Sequence, residues 1–391
     1  MDQTVRYTYR LRPGATTQDA LLAEWARCRW LWNEAVHQQR TGRNPTFGKL
    51  SKLLTEARAR SPWLREGSVV AQQQAVRTYA LALQHSYKVK GRGRPTVKAR
   101  KKTLPSIEYT LRGFAIRGHR LRLAGGITIP VVWSRELPSK PTSVRVYQDS
   151  LGHWYVSFVV RREACTAPTA DRAIGVDWGV TTTATTTDPT YDLPHLGYRK
   201  RCGAELARAQ RTMNRRRRPR GSPPSKGYLR ARRQAARLHK KAARQNTHDA
   251  RQWAKRIVDN HSVIAVEDFK PTFLTRTTMA RKVADAAIGA AKRELIERGM
   301  RAGRKVVLVP PAYTTMTCSQ CGTRAKERLG LGVRTFRCDR CGHTACRDRN
   351  AARAILATVE RDCAGADDVR HVITSLWVSG NAQSEPEISR Q

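Results

Sequence analysis

Cysteines 318, 321, 338 and 341 form two C-x2-C pairs separated by sixteen residues, and each pair runs straight into a glycine, Gly322 or Gly342. Four thiolates presented on two tight turns suit tetrahedral Zn2+. The glycines stand where the chain must turn sharply beneath its amide-to-sulfur hydrogen bonds. A closed shell of four sulfurs leaves no position for substrate, so the expected zinc is structural. His343 and Cys346 lie close by, but neither fits a C-x2-C pair.

Three carboxylates suggest a second chemistry. Asp177 stands inside the apolar stretch "AIGVDWGV", where a lone charge on a buried strand is costly. It needs either a buried cation or a metal ion. Glu267 ends the apolar run "VIAVE", and Asp348 precedes "RNAARAIL", where a helix is expected to begin. Singly, each has a structural reading: a buried salt bridge, a strand-end charge, a helix N-cap. As a set, a strand Asp, a strand-end Glu and a helix-start Asp are what an RNase H-like nuclease fold brings together from its first strand, a central strand and its last helix. Converging carboxylates repel unless divalent cations lie between them, and hard oxygen ligands suit Mg2+ or Mn2+. Two such ions, about 3.5–4 Å apart, activate a water and stabilise the leaving oxygen of a phosphodiester.

The elements that must position these groups can be read from periodicity. "VRYTYRLRP" alternates as a strand. The stretch after it places Leu21, Trp25, Cys28 and Leu31 at helical spacing behind Thr17 as expected N-cap. Helical patterns continue to about residue 89. From about 106 to 160 the period is two, with "DSLG" as a hairpin turn. The reading is a small antiparallel barrel or sheet with a helical lobe, about 17–89, inserted after its first strand. Strands are expected at Ala173 and at 262–269, a helix over 282–301, and a strand in "KVVLVPP". The end of the chain, 361–391, lacks periodicity and is expected to be disordered.

Composition narrows the partner. The chain has 391 residues, 74 Lys+Arg against 31 Asp+Glu, and a formal net charge of +43. Such an excess is self-repelling unless a polyanion neutralises it. The run 199–256 alone holds 21 basic residues against two acids, Glu205 and Asp249, which points to nucleic acid. Arg215, Arg216, Arg217, Arg218, Arg232, Arg233, Lys240 and Lys241 within it, and Arg94 and Lys98 in the segment "GRGRPTVKARKK", are the candidate phosphate contacts. No apolar run is long enough to span a membrane, and no signal-peptide core opens the chain. The expectation is a cytoplasmic, nucleoid-associated prokaryotic protein with no membrane partner. Nine cysteines, an odd number, argue against a disulfide framework.

The motifs "GVDWGV", "VIAVEDF", "YTTMTCSQCG…FRCDRCGH" and "CRDRNAARAI", with "CRWLWNEAV" and "GRGRPTVKARKK" upstream, resemble in order and spacing the TnpB (OrfB) family of transposon-encoded RNA-guided DNA nucleases. These are relatives of the compact type V CRISPR effectors. The resemblance implies an α/β multidomain chain: a β-barrel with an inserted helical recognition lobe (1–165), then an RNase H-like (RuvC) nuclease core (172–311) carrying the basic insertion 199–256. A zinc ribbon that binds target nucleic acid follows (312–343), then the last piece of the core (344–360). It implies Asp177, Glu267 and Asp348 as catalytic Mg2+ ligands and Zn2+ on the four cysteines. The implied partners are a guide RNA from the transposon end and a double-stranded DNA target beside a short adjacent motif, with the protein a monomer or RNA-bound monomer. Trp178 replaces a more usual aliphatic residue, and Cys346 an acid that many members carry. The alternatives are a CRISPR-associated effector and a nuclease-inactive RNA-guided repressor. The repressor would be marked by loss of an acid, and none is lost. A strand transposase would need a nucleophilic Tyr with a His-hydrophobic-His motif, and none is present.

Overall fold

The computed structural model describes residues 2–365 apart from 44, 90, 164–167, 220, 272–273, 275–276, 328 and 331. It divides into two units, 1–163 and 164–391. Residues 366–391, the greater part of the expected tail, lie outside the described residues.

In the first unit, β1 (Asp2–Leu11) leads into α1 (Ala15–Arg40), α2 (Phe47–Arg60), α3 (Pro62–Arg65) and α4 (Val69–Lys88). Six strands follow: β2 (Ser106–Thr110), β3 (Phe114–Arg117), β4 (Arg120–Leu123), β5 (Ile127–Val132), β6 (Ser143–Gln148) and β7 (Trp154–Glu163). The sheet order is β2-β6-β7-β1-β5-β4-β3. Every pairing in it is antiparallel. It approaches a barrel without closing, since no ladder among the described residues joins β2 to β3. The tight turn at Leu111–Gly113 separates these edges. Alternation on the inner face buries Tyr9, Ile129, Val146, Val156 and Phe158. Leu21, Trp25, Cys28 and Leu31 are all buried, as their spacing requires. The helix starts earlier than Thr17, however, because Pro13 and Gly14 release the strand. Gly14 is its cap without a side-chain acceptor, and Gln18 Nε2 donates to the Pro13 carbonyl at 3.1 Å. Asp149 Oδ1 closes the "DSLG" turn, accepting from the amides of Leu151 and His153 at 2.8 and 2.9 Å.

The segment "GRGRPTVKARKK" is not a loose basic strap. Trp32 Nε1 donates to Thr96 O at 2.9 Å, and Asn33 Nδ2 to Lys98 O at 3.2 Å. Asn33 Oδ1 accepts from Lys98 N at 2.8 Å. Lys98 Nζ lies 3.4 Å from the centroid of the Trp32 ring, and burial pushes its pKa down to about 8. The half-buried Lys98 ammonium thus rests on an aromatic face. Arg94 stays exposed.

In the second unit, β8 (Ala173–Trp178), β9 (Thr182–Thr186) and β10 (Leu193–Pro194) form a meander. The basic helices are α5 (Tyr198–Arg201), α6 (Gly203–Arg215) and α7 (Lys226–Asn260), followed by β11 (Val263–Glu267). Next come α8 (Ala280–Ala286), α9 (Ile288–Arg301) and β12 (Lys305–Val309), then the ribbon hairpin β13 (Thr335–Arg337) and β14 (Thr344–Cys346). Helix α10 (Arg347–Gly365) is last, and it carries ordered structure past the expected boundary at 360. The sheet order is β10-β9-β8-β11-β12. Strands β8, β11 and β12 run parallel, and β9 is antiparallel to β8.

One expectation changes here. The helix read as 282–301 is two helices, because Ala287 adopts a left-handed φ of 52°. The carbonyls freed at the break are taken by partners distant in sequence: Asn246 Nδ2 donates to Asp285 O at 3.1 Å, and Thr183 Oγ1 to Ala286 O at 3.4 Å. The basic run 199–256 also contributes to the core of this unit. The end of α7 buries Trp253, Ala254, Ile257 and Val258 against one face of the sheet, while Arg232, Arg233 and Lys241 in its first half are exposed. Lys240 is half-buried. Arg215, Arg216, Arg217 and Arg218, where α6 ends, are all exposed.

Candidate active site

Strand alternation places the acids. On β8, Ile174, Val176 and Trp178 join the core that contains α7 and α9, so Gly175 and Asp177 face the other way. On β11, Ile264 and Val266 join that same core, so Ala265 and Glu267 share the opposite face. That second face is covered by α10, whose Ile355 and Val359 pack with Ala265 and Val309. Gly175 makes the approach possible: a Cβ there would lie 2.1 Å from the Ala352 carbonyl oxygen. Val176 pairs with Val266, which brings Asp177 and Glu267 side by side at the C-terminal ends of neighbouring parallel strands. Asp348 reaches them from the first turn of α10. It lies inside the helix, which begins at Arg347, and so is not its cap.

Asp177 and Glu267 are 6% and 5% exposed. Among the described residues, no Lys, Arg or His nitrogen lies within ion-pair distance of either. The salt-bridge reading of Asp177 therefore finds no cation. Burial first, and then the charges of Glu267 and Asp348, push the Asp177 carboxyl well above its usual range. Burial raises Glu267 to about 7 against the hydrogen bond from Thr314 and the charge of Lys292. Buried carboxylates without a protein cation are what a hard divalent ion would neutralise, and the donor set fits one. Among the described residues, the four cysteines are the group of such donors found within 4.8 Å of one another. Asp348 is instead held by Arg334 Nη1 at 3.5 Å.

Partners that the sequence did not reveal fix this arrangement. Thr314 Oγ1 donates to Glu267 Oε1 at 3.0 Å. Lys292 Nζ pairs with Asp268 at 2.5 Å beside it. Trp178 Nε1 donates to Glu267 O at 3.1 Å, and its ring meets Trp253 edge-on, which accounts for an indole at an otherwise aliphatic position. Arg349 binds Asp192 through two hydrogen bonds at 2.8 Å and also donates to Thr186 O, fixing the start of α10 over β9. None of these pairs has a local spacing that sequence periodicity could expose.

The four cysteine sulfurs meet as their spacing requires. Cys318 and Cys341 are 3.7 Å apart, and Cys321 and Cys338 are 3.6 Å apart. A tetrahedron with Zn–S bonds of about 2.3 Å sets its sulfurs about 3.8 Å apart, so the set fits Zn2+. Gly322 and Gly342 adopt φ of 71° and 69°, and each donates its amide to the carbonyl of the first cysteine of its pair at 3.0 Å. His343 and Cys346 stand outside the cluster. The ribbon is tied to α10 by Asn350, which is fully buried. Its Oδ1 accepts from Ser319 N at 3.0 Å and its Nδ2 donates to Thr317 O at 2.8 Å, one residue on either side of Cys318.

Comparison with known proteins bears on the whole chain. The family model OrfB_IS605, described as a probable transposase, matches residues 157–275, and the Cas12f1-like TNB domain model matches 290–355. A Streptomyces pristinaespiralis protein named as an RNA-guided DNA endonuclease is 30% identical over 383 residues, 95% of this chain and 93% of that one. The chain belongs to the TnpB (OrfB) family. A second relative, InsQ of Escherichia coli K12, also named as an RNA-guided DNA endonuclease, is 27% identical over 91% of this chain and 92% of its own. A solved CRISPR-Cas12f ternary complex superposes with a TM-score of 0.38 at 12% identity, covering 88% of this chain and 82% of that one. Within the TnpB-family sequence, both matched segments reach into the unit that carries the acids and the ribbon.

Proposed function

We propose that the chain is an RNA-guided DNA endonuclease of an insertion sequence, with an RNase H-like (RuvC) core that hydrolyses phosphodiester bonds. One observation carries the site assignment. Two buried carboxylates with no protein cation, Asp177 and Glu267, end adjacent parallel strands, and a third, Asp348, is presented by the helix crossing them. Asp177, Glu267 and Asp348 would hold Mg2+ or Mn2+, which when bound activates a water and stabilises the leaving oxygen. The chain's own residues do the positioning. Thr314 orients the Glu267 carboxylate, and Lys292 neutralises Asp268 so that one acid fewer repels the set. Arg334 pairs with Asp348 at 3.5 Å. The four cysteines would hold structural Zn2+.

The test is to sequence the RNA that copurifies with the protein, then assay cleavage of a duplex matched to it. Mg2+-dependent cutting of matched DNA, abolished by EDTA, is the expected result. Matched DNA bound but left intact would favour a repressor.

The guide would lie against exposed arginine. Arg215, Arg216, Arg217 and Arg218 are all exposed, and Arg218 makes only a long 3.5 Å hydrogen bond to Pro223 O. Replacing the four by alanine should flatten the log-log dependence of RNA affinity on salt by up to about 3, since each phosphate contact on a single strand adds about 0.7. Titrations of labelled guide RNA between low and moderate salt measure that slope. No change would place the RNA elsewhere.

A further inference from the structure

Two described residues other than glycine have left-handed backbone: Ala287, at the break between α8 and α9, and Tyr313 at φ 67°. A bulky aromatic in that region is strained, and glycine would sit there freely. The strain has a visible geometric result. The Tyr313 carbonyl caps the turn that follows, accepting from Met316 N at 2.9 Å and Thr317 N at 3.1 Å. Thr314, the next residue, is buried and points its hydroxyl at Glu267. Tyr313 itself points outward and is 48% exposed. The Arg324 guanidinium covers its ring, 3.0 Å from the centroid. Arg324 also lines an open cleft of about 300 Å³, with Lys326, Arg340 and one acid, Asp339. The ring buries no core surface, and the turn is held by the main chain.

We infer that Tyr313, backed by Arg324, is a stacking platform for an unpaired nucleobase of the strand entering the carboxylate site. Its ligand class is single-stranded nucleic acid, taken by a base face on the ring and a phosphate on the Arg324–Lys326–Arg340 side. Base-on-aromatic stacking tolerates any sequence, and an arginine behind the ring adds a cation–π contribution. The ring belongs to the residue directly before the threonine that orients Glu267, so a base stacked there would hold its neighbouring phosphodiester on the side of the acids. The inference rests on the nuclease reading above.

Strain makes the platform separable from a structural role. In the full chain with zinc and guide RNA, Tyr313→Gly should relieve the backbone and lose the ring, while Tyr313→Phe keeps the ring and the strain. The melting temperature of Tyr313→Gly should equal or exceed that of wild type. Its affinity for an unmatched oligothymidylate, in salt high enough to screen phosphate contacts, should fall about tenfold, the effect of losing one stacked base. Its affinity for an abasic oligomer of the same length should not change. Single-turnover cleavage of matched DNA should fall by a similar factor, with Tyr313→Phe close to wild type in every assay. Unchanged oligothymidylate binding by the glycine variant would overturn the platform, as would equal losses on both oligomers or a lowered melting temperature accompanying lost binding. Wild-type protein that fails to cut matched DNA would instead overturn the nuclease reading, and the oligomer comparison would still decide the role of Tyr313.

Discussion

Asp177→Asn should give a folded, RNA-bound chain that no longer cuts. The substitution keeps the shape of the side chain and removes one charged metal ligand. Because metal stabilisation of the reacting phosphate is worth several kcal/mol, cleavage should fall by about three orders of magnitude or more. Stability should move the other way. Asp177 and Glu267 are buried with no ion pair among the described residues, and both carboxyls titrate above their usual range, Glu267 at about 7. A group whose folded-state pKa exceeds its unfolded value holds a proton in the fold that the unfolded chain has already released. Without metal, stability should therefore fall as pH rises from the ordinary carboxylate range to about 7, and the loss should persist above it. The asparagine variant escapes part of that loss. Its melting temperature in EDTA at pH 8 should be at or above that of wild type, and the two should converge near pH 4. A structural Asp paired with a buried cation predicts marked destabilisation instead. Thermal melts across pH, paired with Mg2+-dependent cleavage of guide-matched DNA, separate the two readings. Destabilisation with cleavage retained would remove Asp177 from the site.

The second large effect should come from the ribbon. Cys338→Ser should reduce the metal content by about one Zn2+ per chain. It should also soften the C-terminal region, since metal binding supplies folding free energy to a site that does not exist in the unfolded chain. Cleavage should suffer as well, although no cysteine touches the acids. Asn350 joins the backbone flanking Cys318 to α10 two residues after Asp348, so a ribbon that loses its metal should release the helix that presents Asp348. Asn350→Ala isolates that link. It leaves the four thiolates intact and strands a buried amide and carbonyl at about 1–3 kcal/mol each. We expect zinc retained, cleavage reduced about 10–100-fold as for other groups that orient metal ligands, and a higher Mg2+ concentration needed for half-maximal rate. Zinc analysis alongside a Mg2+ titration measures both. Full activity in an Asn350→Ala chain would uncouple the ribbon from the active site.

Much of this was legible before any tertiary structure. The two C-x2-C-G pairs define a metal site because each pair's ligands are local, and the knuckle glycines take the left-handed conformation their positions demanded. Alternation gave the strands, and the spacing of Leu21, Trp25, Cys28 and Leu31 gave the buried stripe of α1. Charge alone pointed to a polyanionic partner. What the sequence could not supply was every pairing whose members lie far apart along the chain. Lys98 reads as one more basic residue until the fold lays it on Trp32. The helix read as continuous breaks at Ala287 because Asn246 and Thr183 wait for the freed carbonyls. Asp177 could be read equally as a salt-bridge partner or a metal ligand, and only the folded chain shows that no described cation forms an ion pair with it. Thr314 on Glu267, Arg349 on Asp192 and Asn350 on the ribbon follow the same rule. Periodicity reports which face of an element is buried, because that depends on near neighbours. The atom that satisfies a buried polar group is chosen by packing between distant segments, and that choice leaves no local trace in the sequence.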